Sequence, residues 1–102
     1  MSAALLLTAS IASAETFTGK VVWVETWRNG NVAFRLDSAV SACNQQFILN
    51  ASAPGAKTQY ASVLAAKLSG KSVQVTTSGC GPADNYNPNV LYNIPEYVLV
   101  TD

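Results

Sequence analysis

The sequence predicts a mainly β domain, a small five-stranded barrel with one helix between strands three and four. Three observations carry this. Val, Ile, Thr, Phe, Tyr and Trp gather in short runs with period-two alternation, the pattern of half-buried strands. One stretch alone, residues 56–69, changes to helical spacing. Turn formers punctuate the runs, among them Asn29-Gly30, Pro54-Gly55 and Gly81-Pro82.

Strand one is expected over Thr16–Trp27. Phe17, Gly19, Val21, Trp23 and Trp27 fall on one parity, and Thr18, Lys20, Val22, Val24 and Thr26 on the other. This parity makes Trp23 a core residue and leaves Trp27, beside the turn, more exposed. Gly19 marks a bulge or sharp bend, as in a strand that serves two parts of a barrel. Arg28-Asn29-Gly30-Asn31 supplies a type I′ hairpin turn, because Asn-Gly tolerates positive φ. In strand two, Val32–Leu36, the side chains of Val32, Phe34 and Leu36 face inward and those of Ala33 and Arg35 outward.

Asp37–Asn44 is a polar connection carrying Cys43, and strand three runs over Gln45–Asn50. Pro54-Gly55 then breaks the chain. Ala56–Ser69 reads as a helix with Tyr60, Val63, Leu64 and Leu68 on one stripe and Gly70 as its C-terminal cap. Ala61, Ala65 and Ala66 keep it narrow enough for close approach to a sheet or another helix. Strand four is Lys71–Ser78, with Val73 and Val75 inward, followed by a long loop over Gly79–Asn89. In the last strand region, Val90–Val100, Pro95 cannot donate to a ladder. The strand proper is therefore Glu96–Thr101, or the strand bulges at Pro95. The order β-β-β-α-β-β is that of the OB-fold, a five-stranded Greek-key barrel. A sandwich would need about seven strands, and a ferredoxin-like fold a second helix.

Ala3–Ala14 is a short apolar run ending in Ala12-Ser13-Ala14, the small-residue pattern that signal peptidase accepts. Residues 1–14 are therefore expected to be a signal peptide, and residues 15–102 an OB-fold domain that is secreted or periplasmic. In an oxidising compartment Cys43 and Cys80 are expected to form one disulfide. No C-x-x-C is present to suggest a redox role.

Six Lys+Arg balance six Asp+Glu, and only 12% of residues are charged. That composition argues against nucleic acid, whose phosphates require a basic excess. There is no histidine, which removes Ser–His and Cys–His mechanisms and most catalytic zinc sites. Membrane insertion is not expected, since a span needs about 20 apolar residues. No cofactor and no enzymatic activity are expected.

Phe17-Thr18-Gly19-Lys20-Val21-Val22, Ser41-Ala42-Cys43, the helix with Tyr60 and its Leu/Ala run, and Ser69-Gly70-Lys71-Ser72-Val73-Gln74-Val75 stand in a distinctive order. Together they resemble a family of small secreted bacterial OB-fold proteins. That family includes the B subunits of subtilase cytotoxin and of related pertussis-like toxins, and the resemblance covers most of residues 16–80. It implies a homopentamer whose helices line a pore, with a glycan site on the outside of each barrel. Thr18 stands where a sugar-contacting serine is expected, and Thr77 where the family has an aromatic hydroxyl.

The candidate ligand contacts are Thr18, Lys20, Trp27, Asp37, Thr77 and Tyr86. Lys20 shares the face of Thr18 and could meet an acidic sugar. Trp27 could stack on a sugar ring, and Tyr86 lies in a polar loop tethered by Cys80. Two readings follow: an exported glycan-binding module, or an exported structural or protein-interaction module with no glycan ligand.

Overall fold

The computed structural model describes residues 15–38, 40 and 42–102. The signal-peptide reading of residues 1–14 therefore lies outside the described residues, as does Ser41. The elements are β1 (Glu15–Thr26), β2 (Val32–Leu36), a short 3-10 turn (Cys43–Gln45), β3 (Phe47–Leu49), α1 (Ala56–Ser69), β4 (Ser72–Pro82) and β5 (Leu91–Val100). The strands form one closed, barrel-like ring in the order β1-β2-β3-β5-β4, with β4 returning to β1. All described pairings are antiparallel except β3–β5, which meet in parallel through Phe47 and Asn93.

β1 serves two neighbours. Residues 15–20 pair with β4 and residues 21–26 with β2. Gly19 sits where these duties change. A Cβ there would lie 2.7 Å from Asp37 Oδ1 and 2.8 Å from Ser38 Oγ, so only glycine lets the β2 exit pass this close. Two residues later the register slips between Val21 and Trp23. A slip of one residue exchanges the faces of every side chain that follows. Val21 and Val24 therefore pack on the barrel core, while Trp23 packs on the outer face. The parity count, which carried Trp23 into the core with Val21, is corrected here.

The β1–β2 hairpin also differs from its type I′ expectation. The Gly30 amide donates to the Trp27 carbonyl at 3.0 Å, and the Trp27 amide donates to the Asn31 carbonyl at 2.8 Å. Of the turn residues only Gly30 has positive φ, at 98°. This is a type I turn closed by a glycine bulge, which needs one left-handed residue rather than two.

Strand three is shorter than predicted because Cys43, Asn44 and Gln45 have φ of 53°, 60° and 61°. Left-handed residues cannot continue a strand. Strand four is longer than predicted and runs through Gly79 and Cys80 to Pro82. The β4–β5 register breaks on both sides of Thr77, whose partner is Pro95. The residue without an amide donor thus sits where the ladder is already irregular.

Phe34 and Phe47 stack at 4.9 Å in the barrel centre, with Phe17 set edge-on to Phe47 at 6.0 Å. Val63 and Ala66 of α1 close this core from one side. Gly70, with φ of 71°, ends the helix as expected. Leu68 does not join the stripe and is 79% exposed. At about 100° per residue it falls more than a right angle from Ala56, Val63 and Ala66, the buried line. Ala33, expected outward, does point outward yet is fully buried, because Ile48, Ala83 and Tyr92 cover the outer face of β2.

Candidate functional site

The loop over residues 83–90 is folded back on that outer face and held by amides. Buried Asn31 donates from Nδ2 to the Asp84 carbonyl at 2.9 Å and accepts the Ala51 amide at 2.8 Å. The Asp84 amide donates to Asn50 Oδ1 at 2.7 Å, and Ser52 Oγ donates to Asp84 Oδ2 at 2.5 Å. To the tether at Cys80, Asn31, Asn50 and Ser52 add bonds to Asp84. Together they bring the Tyr86 ring to 5.1 Å from Trp27, edge to face, with Tyr92 at 6.4 Å on the same indole. Burial pushes the Tyr92 phenol above its ordinary pKa, with the charges of Tyr86 and Glu25 adding to it.

Beside this aromatic group, two adjoining hollows of about 500 and 520 Å³ meet at Trp23. One is walled by Arg35, Asp37, Ser38 and Gln45, the other by Glu25 and Gln46. The walls are fixed by hydrogen bonds. Arg35 Nη2 donates to Gln45 Oε1 at 2.7 Å, the Lys20 amide donates to Asp37 Oδ1 at 2.9 Å, and Trp27 Nε1 donates to Glu25 Oε1 at 3.2 Å. Ser38 Oγ is buried in the wall and has no partner among the described residues. An orphaned hydroxyl of this kind costs about 1–3 kcal/mol unless a ligand or water completes it.

The predicted residues divide over three places. Asp37 lines the groove, and Trp27 and Tyr86 flank it through Glu25. Lys20 touches the groove only through its amide. Its ammonium donates to the Gly70 carbonyl at 2.9 Å, at the C-terminus of α1, where a cation is favoured. Thr18 is exposed on the other half of β1, opposite Gln74. Thr77 is 2% exposed, its hydroxyl donating to the Glu15 carbonyl at 3.4 Å. The structure does not bring Thr18 and Thr77 to the groove.

Trp23, Glu25, Arg35, Ser38, Gln45 and Gln46 line the groove and were not among the ligand contacts expected from the sequence. Val21-Val22-Trp23-Val24 is apolar throughout, so either parity satisfies it. The one available signal was Gly19, which announced a bend without its place.

Cys43 and Cys80 are joined in a disulfide, Cα to Cα 5.8 Å, tying the left-handed turn to β4. Among the described residues no three His, Cys, Asp or Glu side chains gather as a metal group. No helix among them is long and apolar enough to cross a membrane. Comparison with protein-family models, curated proteins and solved structures finds no match.

Proposed function

We propose that the chain is an exported glycan-binding module on an OB-fold scaffold, without catalytic activity. The observation that carries this is the groove around Trp23. Sugars offer an apolar C–H face to an aromatic ring and a rim of hydroxyls to planar polar side chains. Trp23 supplies the ring, and Arg35, Asp37, Gln45, Glu25 and Gln46 supply the planar groups on both sides of it. The strand order with a helix between β3 and β4 supports the OB-fold assignment. The disulfide supports export.

Binding is to be read on a broad glycan array and quantified by calorimetry. Trp23→Ala is expected to weaken the selected glycan about tenfold or more, since a lost ring stack with its buried area exceeds about 1.4 kcal/mol. Thr18→Ala should leave affinity unchanged. If Thr18→Ala and Lys20→Ala weaken an acidic glycan while Trp23→Ala does not, the site lies on the β1–β4 face instead. A chain that binds no glycan at all leaves the second reading, a structural or protein-interaction module. That reading is favoured by Tyr97 and Leu99, 56% and 50% exposed in alternate positions on the outer face of β5.

Assembly into a homo-oligomer, a pentamer by resemblance, belongs to the same proposal. Ala61, Ala65 and Leu68 lie exposed on one side of α1 and permit close helix approach. Ala65→Glu should shift the light-scattering mass towards the monomer without unfolding the domain. An unaltered mass would remove α1 from the interface.

A further inference from the structure

A cavity of about 230 Å³ lies between the β1–β2 turn and the first turn of α1. Its wall is mostly apolar, with Val32, Leu49, Ala56 and Tyr60 the main surfaces. Among the described residues that line it there is one charged side chain, that of Lys57, and no carboxylate. Asn29, also in the lining, is already engaged: its amide donates to the Asp84 carbonyl and its oxygen accepts the Asn31 amide. The arrangement around Lys57 is electrostatically one-sided. Lys57 stands in the first turn of α1, where the helix dipole disfavours a cation. That turn has no acidic residue and no capping side chain to offset it. An apolar void of about 150 Å³ already holds a benzene ring. This larger one has room for a ring and one substituent, and among the described residues that line it the one charged side chain, the exposed Lys57, is positive.

We propose that this cavity binds a small apolar monocarboxylate, a single ring carrying one carboxylate that pairs with the Lys57 ammonium. The ring displaces water from Val32, Leu49 and Tyr60, and the carboxylate supplies the negative charge that the first turn of α1 lacks. The site shares no residue with the Trp23 groove and does not depend on the glycan reading.

The test is titration of the ¹⁵N-labelled protein with benzoate and with benzamide, its neutral counterpart, followed by amide chemical shifts. Benzoate should move the amides of Gly30, Ala56, Lys57 and Tyr60 and bind roughly two- to fivefold more tightly than benzamide, the factor expected for an ion pair at an exposed lysine. Lys57→Met should remove that preference while benzamide binding stays as it was. Ala51→Phe, at an exposed lining position, should fill the cavity and abolish both. Equal affinity of the two probes for the native protein overturns the proposal. So does a set of shifts centred elsewhere, or undiminished benzoate binding by Lys57→Met. The titrations of the native protein decide the matter even if Ala51→Phe fails to fold.

Discussion

With Cys43 and Cys80 both replaced by serine, the unfolding free energy is expected to fall by about 4 kcal/mol, the chain-entropy value for a loop closed across 37 residues. Small domains have only about 5–15 kcal/mol in total. The corresponding drop in melting temperature is about 4–8 °C per kcal/mol for a chain of this size. The bond does more than shorten the unfolded chain. It anchors three successive left-handed residues, Cys43, Asn44 and Gln45, none of them glycine. Each left-handed non-glycine residue costs on the order of 1–2 kcal/mol, so without the tether this turn is free to relax and carry Gln45 off Arg35. Urea unfolding of the native and double-serine proteins measures the loss. Coincident transitions would show that the tether is dispensable.

Phe47→Ala is expected to cost about 3–5 kcal/mol, the range for removing a buried phenylalanine. Phe47 is fully buried, stacked on Phe34 and met edge-on by Phe17. Its strand has only three residues, so no neighbouring rung can take over the load. The ΔΔG from denaturant midpoints checks this, and a value below about 1 kcal/mol would mean that the barrel centre collapses to fill the void. By contrast, Phe34 offers a similar truncation from a five-residue strand paired on both sides.

These two residues also show what was legible in the sequence. Val32, Phe34 and Leu36 alternate cleanly with Ala33 and Arg35, and β2 has the range and inward face they predict. Pro54-Gly55 and Gly70 bracket the helix at both ends. The coarse architecture of the described residues followed from such local signals: mainly β, five strands in a ring, one helix between the third and fourth. The candidate site was less legible, for two physical reasons. A bulge changes the face of a side chain without changing composition, so Trp23 was assigned to the wrong side of its own strand. The left-handed turn at 43–45 depends on a covalent partner far along the chain, so nothing local announces that Gln45 and Gln46 will be delivered to the groove. Asp37, Trp27 and Tyr86, offered from the sequence as ligand contacts, lie in or beside the groove, at turn or loop positions where a bulge within β1 does not change their place.

The parallel meeting of β3 and β5 has a consequence for association between chains. A closed ring has no free edge on which another chain can add a strand. Here closure depends on one rung, Phe47 opposite Asn93. Asn93 doubles it: its amide donates to the Gln46 carbonyl at 2.7 Å, and its buried side chain donates to the Ala42 and Gln46 carbonyls at 3.1 and 2.9 Å. This asparagine is a latch. Releasing it uncovers two strand edges at once, one short and one long, on a chain with little charge to keep copies apart. Protection against strand exchange and fibrous aggregation is therefore concentrated at this seam, which the Asn93 carboxamide shares with its own backbone amide and with Asn44, whose Nδ2 donates to the Leu91 carbonyl.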